Sequence, residues 1–555
     1  MKGCSEVYSE IQGKSVYDQI EFLTKALIDQ ESYNNTDGER RKAEQIKDII
    51  ATFPYFQQNP GHLWTQPVPG DEHGRFNVFA KISGKSERTL LFHAHLDTVG
   101  TDDYGILKPA AHDPEFLETF FSRYEGDEKV KNDAQSGKWM FGRGSLDMQS
   151  GIAVHLANLL YFSSISEELE GSLLFLFNPD EESEHAGMIT AIDELYRLKM
   201  EGTQFLAAIN NDFISPVYDG DCKRYIYTGA AGKLLPCFYI AGREAHVGDI
   251  LTSIDPTRIA SHINLRVNQN IDLLEDIEGE FVLPPSCLYL KDKKNVYNVQ
   301  TPLETRMYFN YFVYEKTSKE VLEELLNIAK DSVMELGASS KETYEKYRTL
   351  HDFPEREVSW KVEVTAFEDL VEDLSKKGLN PEKVMNDTLS EMKGEDNREI
   401  AFAIVEALQK LDPDKTPRVI IFFAPPFLPH NYLNNENEYG KKVNSVLKAC
   451  LEKTAEETGE EFEIKRFFPY LADGSFLSLH ESDEEIEAFK DNMPMIEQLY
   501  PVPIDRIREL NIPSINIGVY GKDGHQWTER VYKPYTFSTL PEIIRGVTKE
   551  LLKIE

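Results

Sequence analysis

The spacing of apolar positions changes period along the chain. In Ser15–Gln30 (SVYDQIEFLTKALIDQ) apolar residues recur three and four apart with charges on the other face, which predicts a helix. Gly38–Phe53 repeats that spacing, and Pro54, Pro60 and Pro67 then break it. From Arg75 the pattern shortens. FNVFAKI, TLLFHAHLDTV and GSLLFLFNPD are apolar runs of strand length, the first two separated by the turn-forming SGKSE. SGIAVHLANLLYFSSI lies between the second and third and predicts a long apolar helix. Strands rich in continuous apolar residues that alternate with helices predict an α/β fold, a mostly parallel sheet covered by helices on both faces. Such sheets bind ligands at the carboxyl ends of their strands.

A second pattern begins near Gly232. LLPCFYIAG reads as a strand, and DPTRIASHINLRVNQN as a helix capped by Asp255 with Pro256 in its first position. CLYLKDKKNVYNVQ and ETRMYFNYFVYE follow as strands, SKEVLEELLNIAKDSVMEL as an amphipathic helix, and VSWKVEVTAFE as a last strand. This β-α-β-β-α-β order predicts a ferredoxin-like α+β domain inserted into the first. An acidic helical stretch occupies about Leu370–Leu411, after which RVIIFFAPPF reads as a return to a buried strand of the α/β domain. The expected organisation is therefore α/β over 1–231, an inserted domain over 232–367, and α/β again over 368–555. The run Glu481–Glu487 reads as a solvated acidic face.

Composition narrows the function classes. The 555 residues are 41% hydrophobic and 11% aromatic, enough for large buried cores. A formal net charge of −35 repels nucleic acid and anionic lipid, so neither is expected as a partner. The five cysteines (Cys4, Cys222, Cys237, Cys287, Cys450) are scattered, with no metal-ligand spacing and no disulfide pattern, which suits a reducing compartment. The opening MKGCSEVYSEIQGKS has no apolar signal-peptide core. The runs LLFLF and VIIFFA fall far short of the about 18 residues a bilayer span needs. A cytoplasmic protein without membrane association is expected.

The candidate chemistry sits at predicted strand ends. LLFHAHLDTVG offers His95 with Asp97 two residues on; FGRGSLDMQSG offers Asp147 in a glycine-flanked turn; FNPDEESEHAG offers Glu181 and Glu182; INNDFISP offers Asp212; YGKDGHQWTERV offers His525. Imidazole with carboxylate suits zinc, manganese or cobalt. Two such cations about 3.5–4 Å apart need a carboxylate able to reach both, as an Asp on a tight turn can. A carboxylate two residues past a ligand histidine can orient its ring. Of two adjacent glutamates, one can hold metal while the other handles protons. Taken singly each residue has an ordinary reading: a core histidine, an exposed acidic turn, a helix cap.

Their joint order changes that. HAHLDTV, GRGSLDM, PDEESEHAG and GHQWTERV, in sequence, resemble the recurring blocks of the M20 family of metallopeptidases and amidohydrolases. IYTGAAGKLLPCFYIAGREAHVG, PPSCLYLKDKKNVYNVQTP and YFNYF are similar to its arginine-utilisation (Roc-type) branch. The resemblance implies a mixed, zinc-exopeptidase-like sheet with the inserted domain as a lid. It implies two divalent metals, foremost zinc, bridged by Asp147, with His95 and Asp212 completing one site and Glu182 and His525 the other. It implies that Asp97 steadies His95, that Glu181 is the general acid/base, and that the Asp147–Met148 peptide is cis. In the lid it implies that His246 of GREAHVGDI donates to a developing oxyanion and that Asn298 of YNVQTP holds substrate.

Two departures stand beside the resemblance: NVQTP is one residue longer than the usual NVIP, and FNYF lacks an arginine common at the end of that strand. Asp473 of YLADGSF lies near a glycine-rich loop of the family and otherwise reads as a turn cap. The whole implies hydrolysis of an amide bond in a small peptide or N-acyl amino acid, in the context of amino-acid catabolism, by a monomer or a lid-mediated homodimer. A non-catalytic, ligand-binding or regulatory protein on the same fold is the alternative.

Overall fold

The computed structural model describes residues 7–294, 296–355, 357–469 and 472–554. Cys4 with the opening residues, Asn295 of NVYNVQ, and Tyr470 and Leu471 of YLADGSF lie outside them. The chain forms two units. One comprises Met1–Ala230, Pro429–Leu479 and Pro503–Glu555; the other comprises Ala231–Leu428 and His480–Val502.

The longer strands, in chain order, begin with β1 (Leu63–Pro67), β2 (Phe76–Ile82), β3 (Arg88–His95), β4 (Ser172–Asn178), β5 (Gln204–Asn210) and β6 (Lys223–Tyr227). They continue with β7 (Pro236–Ala241), β8 (Ser286–Asp292), β9 (Glu304–Val313), β10 (Glu363–Ala366), β11 (Arg418–Phe423), β12 (Glu461–Lys465) and β13 (Ser514–Ile517). In the first unit the order is β1-β2-β4-β3-β5-β13-β6-β12. The neighbours β4/β3, β3/β5, β5/β13 and β6/β12 are parallel; β1/β2, β2/β4 and β13/β6 are antiparallel. The sheet is thus mixed with a parallel centre, flanked by helices. All seven residues of β4 are buried, as its unbroken apolar run predicts for an inner strand. The long apolar helix is α1 (Gln149–Ser164), buried on nearly every side. The helix expected over 15–30 spans Val16–Ile28, with Ser15 capping it by accepting the Asp18 N–H at 3.2 Å. Because β3, β4 and β5 run parallel, the residues just past His95, Asn178 and Asn210 emerge at one end of the sheet.

The second unit contains the expected β-α-β-β-α-β succession: β7, α2 (Pro256–Val267), β8, β9, α3 (Ser318–Leu350) and β10. Asp255 caps α2 through the Thr257 N–H at 2.9 Å with Pro256 in the first turn. A Thr317–Glu320 capping box starts α3, which runs on to Leu350. The expected boundary at 368 needs correction. RVIIFF is β11, and it enters the second sheet between β7 and β10, giving β8-β9-β7-β11-β10. The acidic stretch forms α4 (Phe367–Lys376), α5 (Pro381–Glu391) and α6 (Asn397–Leu411). Phe367, Leu370 and Leu374 of α4 and Ile400, Phe402 and Val405 of α6 share one core with Cys237, Tyr239, Ile420 and Phe422 of the sheet. Residues 368–428 therefore belong to the inserted unit, and so do 480–502, where the acidic run continues into a capped helix, Asp483–Asp491, that buries Ile486 and Phe489. Among the described residues no helix is long and apolar enough to cross a membrane.

Candidate metal centre

The first unit gathers its acidic and imidazole side chains at the carboxyl ends of β3, β4 and β5. His95 is the last residue of β3, the Asp180–Glu182 turn follows β4, and Asp212 follows β5. Asp147 stands in the tight glycine-flanked turn that leads into α1; Gly144 there has φ +78°, a conformation suited to glycine. His525 comes from the loop between β13 and the C-terminal helix, itself at φ +63°. The Asp147–Met148 peptide is cis, as the family resemblance implies.

Asp147 sits at the middle of the group. Its Oδ1 lies 3.0 Å from His95 Nε2, and its Oδ2 lies 3.0 Å from His525 Nε2. His525 Nε2 is also 2.8 Å from Glu182 Oε1. Two sets of three ligand atoms result, His95–Asp147–Asp212 and Asp147–Glu182–His525, each set lying within 4.8 Å. All five residues expected as ligands fall in one or the other, and Asp147 falls in both. Asp97 takes the Glu181 and Glu182 N–H groups at 3.1 and 3.0 Å. Its carboxylate lies 3.5 Å from His95 Nδ1, so His95 turns its other nitrogen to Asp147. Glu181 is buried beside the group and belongs to neither set.

The electrostatics make the same demand. His95, Asp147, Glu181 and Asp212 are each at most 6% exposed. Burial, then the Glu182, Asp473 and Asp212 charges, hold Glu181 well above the ordinary carboxylate range, against the pull of His95. Burial and the neighbouring Asp147 push Asp212 up to about 8. Burial would lower His525, yet its hydrogen bonds to Asp147 and Glu182 outweigh that and raise it to about 11. Among the described residues no Lys or Arg forms an ion pair with Asp147, Glu181, Glu182 or Asp212. Buried carboxylates without fixed cations are costly unless they hold bound ones. A donor set of imidazole nitrogen and carboxylate oxygen, three atoms to a set with one carboxylate shared, fits a pair of divalent cations.

Further groups that the residue patterns leave unassigned support this site. Glu529, four residues past His525, is fully buried. Its Oε1 accepts the Leu146 and Asp147 N–H groups at 3.0 and 3.2 Å, and its Oε2 pairs with Arg143 at 2.7 Å. Arg143 also reaches Asp103 at 2.9 Å. Both residues lie inside the blocks GRGSLDM and GHQWTERV, so position within a block is the available signal. On the other side, Arg75 pairs with Asp180 at 2.7 Å and with Asp71 at 2.7 Å, bracing the start of the glutamate turn. Glu529→Ala is expected to lower stability by about 3–5 kcal/mol, since it takes from the buried Arg143 guanidinium the nearer of its two carboxylate partners and leaves two backbone N–H groups without their acceptor. Urea unfolding measures this, and a loss under about 1 kcal/mol would show that Glu529 does not anchor the turn.

The two lid candidates lie in the second unit and are joined to each other there. His246 pairs with Gln300 in an isolated β-bridge, and the Val247 N–H donates to the Val299 carbonyl at 2.9 Å. His246 Nδ1 accepts the Gly248 N–H at 3.1 Å, and Asn298 Oδ1 accepts the Gln300 N–H at 3.3 Å. Both side chains are exposed.

Residues 91–489 match the model of peptidase family M20/M25/M40. The chain is 52% identical over 549 residues to Protein RocB of Bacillus subtilis, covering 98% of this chain and 97% of that one. It is 31% identical over 544 residues to the uncharacterized protein YqjN of the same organism, covering 97% of each. The fold also matches the M20 family metallo-carboxypeptidase Sso-CP2 of Sulfolobus solfataricus, with a TM-score of 0.53 and 11% identity over 97% of this chain and 100% of that one. A family model spanning most of the chain, and a relative this similar along its whole length, establish that the chain belongs to peptidase family M20/M25/M40 and is a hydrolase of that family.

Proposed function

We propose that the chain is a two-metal hydrolase that cleaves the amide bond of a small peptide or an N-acyl amino acid. The observation that carries the reading is Asp147, whose two oxygens face two imidazoles from opposite ends of the sequence and complete two sets of ligand atoms. His95 and Asp212 would complete one cation's ligands, and Glu182 and His525 the other's, with zinc, manganese or cobalt as the suitable ions. Bound there, such cations supply positive charge that polarises a carbonyl and makes water acidic enough to attack near neutral pH.

The chain's own residues do the rest. Glu181, desolvated and outside both ligand sets, takes the proton of the attacking water and delivers it to the leaving nitrogen. Asp97 holds the Glu181 and Glu182 backbone and the His95 ring in register. In the lid, His246 donates to the oxyanion as it develops and Asn298 holds the substrate. A cytoplasmic enzyme acting on small molecules, as monomer or homodimer, accords with the acidic charge and the thiols. The arginine-utilisation likeness selects the first probes: arginine-containing dipeptides and N-acyl arginines.

The test is hydrolysis of those probes, with other dipeptides and acyl amino acids, by the purified chain loaded with zinc, manganese or cobalt. Chelation is expected to abolish the activity, and metal return to restore it. Two bound cations with no hydrolysis of any probe would instead indicate the non-catalytic binding protein.

A further inference from the structure

The turn that carries Glu181 and Glu182 runs from Asn178, the last residue of β4, to His185, which starts the following helix in a left-handed conformation at φ +58°. Both ends are held by one carboxylate from far along the chain. Asp473 Oδ2 accepts Asn178 Nδ2 at 2.6 Å, and Asp473 Oδ1 lies 2.9 Å from His185 Nδ1. All three side chains are buried, Asp473 at 2% exposure.

Asp473 is itself fixed from behind. A side chain on the next residue, Gly474, would meet Ser514 Oγ at 2.2 Å, so the segment packs directly against β13. Asn431 Nδ2 donates to the Gly474 carbonyl at 2.8 Å, and Asn431 Oδ1 accepts the Ser514 N–H at 3.1 Å. The Phe476 ring lies 5.3 Å from the His185 ring. The glutamate turn is thus tied at Asp180 by Arg75, at its middle by Asp97, and at both ends by Asp473. A charged carboxylate in this buried place is costly unless its hydrogen bonds are made, and here each oxygen has a donor.

Building on the two-metal reading, we propose that Asp473 and His185 are positioning residues for Glu181: their pair closes the turn and fixes the carboxylate that relays the proton. Neither touches the reacting atoms. A displacement of about 1 Å in such a group costs about 10²-fold in rate.

Asp473→Ala is expected to lower kcat by about 10²-fold while KM changes by less than about threefold and two cations per chain remain. His185→Ala is expected to do the same. His185→Asn places an amide N–H close to the position of Nδ1, keeps the bond to Asp473, and is expected to restore most of the rate. A second readout does not depend on turnover: amide hydrogen exchange over residues 179–186 is expected to quicken by about tenfold or more in both alanine variants and to stay near wild type in His185→Asn. If the wild type hydrolyses none of the probes, the hydrolase reading falls, and the proton-relay role with it; exchange alone then decides whether the clamp exists. Folded Asp473→Ala and His185→Ala proteins with exchange and kcat within about twofold of wild type would overturn the proposal. Should Asp473→Ala fail to fold, the contrast between His185→Ala and His185→Asn carries the test by the same two measurements.

Discussion

Glu181→Gln is expected to lower kcat by about 10²–10⁴-fold while the chain still takes up two cations, because general acid–base catalysis contributes on that order. The substitution keeps the volume of a side chain that is only 6% exposed, so packing is preserved. The turn is held through the backbone N–H groups that Asp97 accepts and through Asp180, neither of which the amide disturbs. Both ligand sets omit Glu181, so elemental analysis of the variant is expected to find the wild-type metal content. Only the ability to accept and return a proton is lost. Glu181→Asp gives the complementary result, since it keeps the chemistry but withdraws the carboxylate by about one bond, and about a 10²-fold loss is expected. Near-normal turnover by Glu181→Gln would remove the residue from the mechanism.

The sheet of the first unit is legible in the sequence because β3 and β4 carry unbroken apolar runs, Leu90–Phe92 and Leu173–Phe177, and lie beside a long apolar helix, the pattern of strands buried on both faces. The same property misleads at β11. RVIIFF is buried at all six positions, and such a run suits an inner place in either sheet; its partners, β7 and β10, are fixed by long-range pairing that composition does not encode. With β11 in the second sheet, the helices before it have to cover that sheet, so the boundary moves from 368 to 429.

At the site, the candidate ligands are legible because each stands in a short block, at the end of β3, β4 or β5 for His95, Glu182 and Asp212 and in a glycine-flanked turn or loop for Asp147 and His525. The supporting residues are harder to see. Glu529 acts through two backbone N–H groups nearly four hundred positions away, and Asp473 through a histidine and an asparagine in a different block; nothing local marks either partner. In the sequence Asp473 reads as a turn cap because short carboxylates are favoured there. What distinguishes it is burial, which only the fold confers.

The arrangement of Asp147 makes the second large effect. Asp147→Asn is expected to bring metal content after dialysis from two cations per chain to less than one, and hydrolysis to background. Each carboxylate oxygen faces one imidazole nitrogen at 3.0 Å, so each ligand set depends on one of the two oxygens. An amide replaces one of them with an NH2 group that cannot coordinate, and its remaining oxygen carries less charge. The backbone of the turn stays anchored on Glu529 in the variant, so a loss of metal there reports coordination rather than unfolding. Asp212→Asn and Glu182→Gln supply the contrast. Each lies in a single set, so each is expected to release one cation and retain the other. The pattern of two lost against one lost is the signature of a shared carboxylate. Two cations retained by Asp147→Asn would mean that the sites are independent, and the bridging role would have to be abandoned.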